Sequence, residues 1–275
     1  MTSPAQPLAG HSFVITRPAE QAGRISQMIE AAGGQCIHFP LLQISPLQDY
    51  RKFDALLQDI AGEGMTQQGS SQIDGLIFVS ANAVEQAFAR LNTLGLSLNP
   101  QLPCYVVGPS TRAALQAQGM RNIAMPTNSF DSEGLLALPE LQAVQHQHLL
   151  IVRGEGGRDL IASTLQQRGA HIHIAECYRR QALQHNTELL DRSWQQHAFS
   201  AVLLTSSEAM RYFLQLARGK AWLSACKIIV NHVRLTQQSQ ALEIQGLVEQ
   251  GTLNFVVAAA TDDEAMFACL LQQFH

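Results

Sequence analysis

Charged and aromatic residues are scarce in this chain of 275 residues. Asp, Glu, Lys and Arg make up only 15% of it, the formal net charge is −4, and the sequence contains no basic tract. Nucleic acid is therefore not expected as a partner, because its phosphates are bound by clustered Lys and Arg. Any anionic ligand must be held by a local site. With 6% aromatic but 46% hydrophobic residues, the cores are expected to be aliphatic, as in α/β proteins.

Long apolar runs and paired cysteines are also missing. No apolar run approaches the roughly 20 residues of a membrane-spanning helix, so we expect no membrane partner. The first ten residues have neither the basic nor the apolar region of a signal peptide. The five cysteines (Cys36, Cys104, Cys177, Cys226 and Cys269) are scattered and form no C-x-x-C motif. This usage is typical of reduced core thiols, and we expect a cytoplasmic protein.

Nucleotide and metal motifs are incomplete. Gly154-Glu155-Gly156-Gly157-Arg158 follows a predicted strand, but Asp159 stands where the third glycine of a dinucleotide-binding loop would be. We therefore favour a tight turn there. His146-x-His148 and His171-x-His173 each place two imidazoles on one strand face. No third ligand is visible, so a solvated strand surface is favoured over a metal site.

Two similar stretches organise the chain. Ser80 follows the apolar run 76–79 and Ser206 follows the run 201–204, and a helical pattern comes after each serine. Both stretches predict a buried strand, a polar turn and a helix with a serine N-cap. Such a junction presents free backbone N–H groups and the positive end of a helix dipole. It is therefore suited to binding an anion.

Other segments repeat in the same order, with offsets of about 125 to 136 residues. Residues 149–153 resemble 13–17, residues 171–178 resemble the second strand, and the segment from Lys227 resembles that from Cys104. We interpret this as a diverged duplication. The alternation of strands and helices predicts two parallel sheets flanked by helices. Ligands of such sheets bind at the carboxyl ends of the strands.

The polar turns fall at those strand ends. Each of their residues is also an ordinary helix cap, and only their common location suggests a site: Ser80, Asn82, Ser110, Thr111, Ser132, Ser206, Ser207 and Thr236. Arg17 and Arg153 each follow or end a first strand, where they could clamp a ligand carboxylate or pair with a helix carboxylate. Tyr178 ends an apolar strand. It is either half-buried with its hydroxyl at the surface or a phenol that lines a cleft and donates a hydrogen bond.

Together these motifs resemble the uroporphyrinogen-III synthase family over essentially the whole chain. The resemblance rests on their order: Thr16-Arg17-Pro18, Pro40-Leu41, Ser80 to Val84, Val107 to Thr111, Ser132 to Leu135, Val152-Arg153-Gly154 with Gly157-Arg158, Cys177 to Arg180, and Thr205-Ser206-Ser207. It implies two flavodoxin-like α/β domains, each a parallel sheet with helices on both faces, joined by a two-stranded connector. It also implies crossed connectivity, with one domain formed by residues 1–42 plus 180–275 and the other by 43–179.

The resemblance further implies a reaction without cofactor or metal. The family dehydrates and cyclises the linear tetrapyrrole hydroxymethylbilane and inverts its last ring. Tyr178 would donate a hydrogen bond to the leaving hydroxyl. The substrate carboxylates would be bound by Arg17, Ser80, Asn82, Gly108, Thr111, Ser132, Arg153, Ser206, Ser207 and Thr236. The only partner expected is this small polycarboxylate, and the protein is expected to be a monomer.

Two features depart from the family pattern. The turn Asn231-His232-Val233-Arg234-Leu235 replaces the Ser-His-Pro type often found there, which leaves the roles of His232 and Thr236 open. Residues 62–72 form a long Gly/Gln/Ser-rich segment that we expect to be a mobile loop. Two other functions stay open on the residues alone. One is a non-catalytic two-lobed α/β sensor of an anionic or tetrapyrrole ligand, and the other is a nucleotide-dependent enzyme, which the missing phosphate loop disfavours.

Overall fold

A computed structural model describes residues 6–61, 73–156, 159–197, 199–237 and 253–274. Two predicted features lie outside these ranges, namely the loop 62–72 and the pair Gly157-Arg158. Within them, contacts between Cα atoms divide the chain into two compact units. The first unit contains residues Met1–Gln43 and Gln181–His275, and the second contains Ile44–Arg180.

The first unit is built on a parallel sheet of five strands. Its strands are β1 (Ser12–Ile15), β2 (Gln35–His38), β9 (Ala201–Leu204), β10 (Lys227–Val230) and β11 (Asn254–Val257), in the order β11-β10-β9-β1-β2. Its helices are α1 (Ala19–Ala31), α7 (Glu188–His197), α8 (Ser207–Leu216), α9 (Ala221–Ala225) and α10 (Asp263–Phe274), with a further helical segment at 233–237.

The second unit is built on a sheet of six strands. In spatial order they are β3 (Leu42–Ser45), β8 (His171–Ala182), β7 (His148–Gly154), β4 (Gly75–Phe78), β5 (Cys104–Val106) and β6 (Ile123–Ala124), and the pairs from β8 to β6 are parallel. Its helices are α2 (Arg51–Ala61), α3 (Ala81–Leu94), α4 (Pro109–Ala117), α5 (Ser132–Leu136) and α6 (Leu160–Gln167), with a 3-10 turn at Pro139–Leu141.

Helices cover both faces of each sheet. Successive buried residues of one strand therefore belong to different apolar clusters. In β1, Phe13 and Ile15 join one apolar cluster and Val14 joins another. In β4, Leu76 and Phe78 lie on one face and Ile77 on the other. A strand buried on both faces reads as a continuous apolar run, which explains the runs seen in the sequence. The predicted fold class, with parallel sheets flanked by helices, is confirmed.

The repeated segments occupy equivalent places in the two sheets. The order β2-β1-β9-β10-β11 in the first unit corresponds to β8-β7-β4-β5-β6 in the second. Each repeated strand therefore has neighbours equivalent to those of its counterpart. Both sheets have the flavodoxin-like strand order 2-1-3-4-5, but the βα units that form them are exchanged between the two parts of the chain. β1 lies next to β9 rather than β4, so the first βα unit pairs with strands from the C-terminal part of the chain.

The chain passes between the units twice, at Gln43–Ile44 within β3 and at Arg180–Gln181 within β8. β3 and β8 are neighbours in the six-stranded sheet, so the passage is two-stranded. None of the helices in the described ranges is long and apolar enough to cross a membrane.

Candidate active site

Ser80 and Ser206 cap equivalent helices in the two units. Both have extended backbone angles, and their Oγ atoms accept hydrogen bonds from the N–H groups of Ala83 and Ala209, each at 3.1 Å. α3 thus begins at the end of β4, and α8 at the end of β9. The predicted serine N-caps are confirmed. In each unit the amino end of a helix faces the carboxyl edge of the sheet, where N–H groups can bind an anion.

Tyr178 lies at the end of the second unit's core, and none of its surface is exposed. Its hydroxyl is 3.2 Å from Ser80 Oγ and accepts a hydrogen bond from Arg180 Nη2 at 3.1 Å. The Arg180 guanidinium carbon is 5.7 Å from the centre of the Tyr178 ring. An arginine N–H donated to the phenol oxygen polarises the O–H bond and strengthens it as a donor. Of the two alternatives that the sequence left open for Tyr178, the half-buried tyrosine with its hydroxyl at the surface is wrong.

A β-bulge places Tyr178 where it is. The register between β7 and β8 shifts after the pair Arg153–Glu176, so that Gly154 is opposite Tyr178 and Cys177 is the extra residue. Cys177 and Tyr178 are both fully buried in the same core, although neighbours in a regular strand point to opposite faces. The bulge therefore turns the phenol inwards, toward Ser80.

Gly154 makes room for the Tyr178 ring. A Cβ added to Gly154 would lie 2.6 Å from two atoms of that ring, Cε2 and Cζ, which is too close for any side chain. The sequence suggested only a tight turn at this glycine. The contact with Tyr178 and the bond from Arg180 were both missed, since neither follows from local sequence.

Arg153 and Arg17 both pair with carboxylates. Arg153, which is largely buried in β7, places Nη1 3.3 Å from Asp159 and Nη2 3.6 Å from Glu176. Arg17 forms an ion pair with Asp263, the first residue of α10. The structure thus shows the carboxylate pairing that the sequence left open as one of two alternatives. Each guanidinium has five N–H donors, so pairing does not exhaust its capacity to bind a substrate carboxylate.

The remaining predicted residues of the second unit lie in helix starts. Asn82 is in the first turn of α3, Gly108 is the N-cap of α4, and Thr111 is buried within α4. Ser132 is the first residue of α5, whose N-cap is Asp131, with the Gly134 N–H donating to Asp131 Oδ1 at 2.8 Å. All follow strands of one sheet, so the topology brings them to its carboxyl edge.

In the first unit, Ser206 caps α8 and Ser207 begins it. Thr236 lies in the helical segment 233–237, and its hydroxyl donates to the Val233 carbonyl at 2.7 Å. His232 Nδ1 accepts a hydrogen bond from the Arg234 N–H at 3.0 Å. These two hydrogen bonds both lie within the turn that follows β10.

A family model described as "Uroporphyrinogen-III synthase HemD" matches residues 23–251 of this chain. That range covers most of the sequence. The chain belongs to the uroporphyrinogen-III synthase family.

Named relatives agree with this assignment. The chain is 30% identical to "Uroporphyrinogen-III synthase" of Escherichia coli (strain K12) over 263 residues, which is 94% of this chain and 99% of that protein. It is 33% identical to the protein of the same name from Proteus mirabilis over 183 residues, 66% of this chain and 87% of the relative. A relative of that name from Synechococcus elongatus is 33% identical over 77% of this chain and 76% of its own length.

Solved structures of uroporphyrinogen-III synthases share the fold. A mutant from the extremely thermophilic bacterium Thermus thermophilus aligns with a TM-score of 0.59 at 16% identity, covering 96% of this chain and 97% of that one. The Helicobacter pylori 26695 protein aligns with a TM-score of 0.56 at 14% identity, covering 96% and 99%. The predicted family resemblance and fold are both confirmed.

For a uroporphyrinogen-III synthase, the cysteines are poor candidates for covalent catalysis. Burial raises the pKa of Cys104, Cys177 and Cys226 to about 12, far above neutral pH. The nucleophilic form of cysteine is the thiolate, which is rare at such a pKa. All five thiols are free, and four are buried, as expected of core residues.

The histidines of β7 and β8 form a cluster. His148 Nδ1 is 3.2 Å from His173 Nε2, and His148 stacks on His171 with ring centres 4.5 Å apart. Across the described ranges, no three residues among His, Cys, Asp and Glu are arranged to hold a metal ion.

Proposed function

We propose that this chain catalyses the reaction that gives its family its name, the closure of hydroxymethylbilane to uroporphyrinogen III. The family assignment supports this, and one observation within the structure carries it. Tyr178, Ser80 and Arg180 form a connected hydrogen-bonded group at the carboxyl edge of the second unit's sheet. That edge is where ligands of such sheets bind.

The first step breaks the bond between carbon and the hydroxyl of the substrate. The electron-rich pyrrole supplies the electron pair, so the protein needs only to help the oxygen leave as water. Tyr178 would donate its O–H to this oxygen, while Arg180 holds and polarises the phenol. Ser80 is the present partner of the phenol, and the leaving hydroxyl would take its place. Arg180 is exposed, so the substrate would approach the phenol oxygen from the side of that residue.

The second step is attack by the substituted carbon of the last ring on the cation formed in the first. Ring inversion requires the chain to be folded so that this carbon, and not the free one, reaches the cation. The attack forms a spiro intermediate, in which the older bond from that carbon to the neighbouring methylene bridge then breaks and leaves a second cation at the bridge. The free carbon of the last ring closes on this cation and loses its proton, which restores the pyrrole and balances the proton given to the leaving water. Carboxylates fixed at the helix starts would impose that fold. The proposed binding residues are those predicted from the sequence: Arg17, Ser80, Asn82, Gly108, Thr111, Ser132, Arg153, Ser206, Ser207 and Thr236.

The organisation of the chain is part of the proposal. We take residues 1–42 plus 180–275 and residues 43–179 as its two domains, in line with the two compact units. The substrate is a linear tetrapyrrole polycarboxylate, and the protein acts as a monomer without cofactor. Sedimentation at micromolar concentration tests the monomer.

An isomer assay tests the function. Hydroxymethylbilane is generated in situ, the protein is added, and the oxidised uroporphyrins I and III are separated. We expect type III from the wild-type protein and a rate reduced roughly 10²-fold or more in Tyr178→Phe, since general acid help is worth about that much. Tyr105→Phe is the matched control, because Tyr105 is also a buried tyrosine of the same sheet.

Either result decides the proposal. Type I alone, from folded wild-type protein, would contradict it and favour the binding protein that the sequence left open. Type III at an unchanged rate in Tyr178→Phe would keep the function but remove the tyrosine from its mechanism.

A further inference from the structure

Two imidazoles meet where β7 and β8 begin. His148 is the first residue of β7, and His173 is the third residue of β8. His148 Nδ1 lies 3.2 Å from His173 Nε2, and the two ring centres are 5.5 Å apart with 28° between the ring planes. The rings therefore face each other nitrogen to nitrogen, at a place where both residues are partly exposed to solvent.

The register of the two strands produces this contact. His148 is opposite His171, and Leu150 is opposite His173, so that His148 and His173 are diagonal neighbours on adjacent strands. Residues two apart in a strand point to the same face. The sequence indicated histidine pairs within each strand, but the contact joins one histidine from each. Because the sheet fixes both backbones, the two nitrogens are held together before a ligand arrives.

The separation of the two nitrogens is that of two ligands on one metal ion. Zn–N bonds of about 2.0–2.1 Å at a tetrahedral angle place two imidazole nitrogens about 3.3 Å apart. The observed separation is 3.2 Å, so a small rotation of each ring directs both lone pairs at a common ion. A neutral imidazole can bind a metal through either ring nitrogen.

Two carboxylates lie near the pair. Asp59, in α2, interacts electrostatically with His173 and favours positive charge there. Asp74 Oδ2 accepts a hydrogen bond from the backbone N–H of His148 at 2.7 Å. Carboxylates commonly accompany histidine ligands of bound metal ions. The surroundings thus favour a cation between the two rings.

The chemistry of the ligands selects the ion. Imidazole suits zinc, copper and nickel, whereas magnesium and calcium prefer oxygen ligands. In the part of the chain that the structure describes, no group of three ligands is in place, so water must complete the coordination. Such a site should bind its ion reversibly, and more weakly than a structural zinc site with four protein ligands.

We propose that His148 and His173 together bind one late first-row divalent metal ion, such as Zn²⁺, with water in the remaining positions. The ion replaces the hydrogen bond between the rings, and the proton of that bond moves to the other nitrogen of the donor ring. The bound ion clips the beginnings of β7 and β8 together. Tyr178 is opposite Gly154 at the far end of β7, about 20 Å along the strand. The inference is therefore independent of the proposed function.

The test is a calorimetric titration of the metal-free protein, without a polyhistidine tag, with Zn²⁺. We expect one ion per chain for the wild-type protein and affinity reduced roughly 10-fold or more in His148→Gln and in His173→Gln. A direct ligand matters at least as much as the groups that only orient ligands, whose loss costs about 10–100-fold. His38→Gln is the matched control, because His38 is an exposed strand histidine of the other sheet. Mg²⁺ should not bind to this site.

Thermal unfolding gives a second measurement. An ion that binds the native state stabilises it, so Zn²⁺ should raise the melting temperature of the wild-type and of His38→Gln, but much less that of the other two variants. Melting without metal shows that each variant is folded. Absence of Zn²⁺ binding to the wild-type, or equal affinity in the double variant His148→Gln/His173→Gln, would overturn the site.

Discussion

Individual residues fix the geometry around Tyr178. Its phenol is held by Ser80 and Arg180 through hydrogen bonds, and its ring is in contact with the backbone of Gly154. A tyrosine that is fully buried and bonded on its oxygen cannot rotate freely. Its direction is therefore set before a substrate arrives, which lowers the entropic cost of using it as a donor.

Gly154→Ala should displace that ring. The new methyl would lie 2.6 Å from two ring atoms, so the tyrosine or the strand must shift. We expect the free energy of unfolding to fall by about 1–3 kcal/mol, as for other overpacked cores, and the type III rate to fall with it. Urea unfolding measures the first effect.

Gly23→Ala is the control for this substitution. The same added methyl enters open space on a helix, so stability should rise by about 0.5–1 kcal/mol. Equal effects at the two glycines would contradict the close contact between Gly154 and Tyr178.

The same junction of strand, turn and helix occurs in each unit. β4 leads to α3 through Ser80, and β9 leads to α8 through Ser206, with equal capping distances. Ser80 Oγ also meets the Tyr178 hydroxyl, at 3.2 Å. The two serines therefore form a natural pair in which one measures capping and the other measures capping plus the tyrosine contact.

Ser206→Ala should cost about 1 kcal/mol of stability, which is usual for a lost serine cap. Ser80→Ala should cost more, by about a further 1 kcal/mol, because the buried phenol also loses a partner. Thermal unfolding of both variants gives the comparison. A loss at Ser80 no larger than that at Ser206 would mean that the contact with Tyr178 contributes nothing.

These elements were largely predictable from sequence, and their contacts were not. Continuous apolar runs ending at Ser80 and Ser206 predicted both strands and both caps, because burial and capping depend on neighbouring residues. The bulge at Cys177 depends on the register between β7 and β8, and the bond from Arg180 depends on that bulge. Binding roles for the helix-start residues stay predictions.

At the scale of the whole molecule, stability should depend on pH through His173 in β8. Burial, followed by the neighbouring His148 and His171, lowers the pKa of His173, while Asp59 acts in the opposite direction. A lowered pKa means that the native protein binds fewer protons than the unfolded chain below about pH 6.5. Stability should therefore fall as the pH drops through that value and level off below the folded pKa.

His173→Gln should flatten this dependence between pH 7 and pH 5, as measured by urea unfolding at each pH. An identical slope in the wild-type and His173→Gln would show that this imidazole is not the group responsible.

The exchange of βα units has a consequence for how the chain is made. The second unit is one continuous segment, Ile44–Arg180, and can assemble as soon as that segment has left the ribosome. β1 can pair with β9 only after residue 201 has been synthesised, because Phe13 pairs with Ala201. Contacts so distant in sequence close slowly. β1 and α1 are thus synthesised before the second unit but belong to a unit that is completed after it, and until then their apolar surface is exposed to chaperones and to other nascent chains.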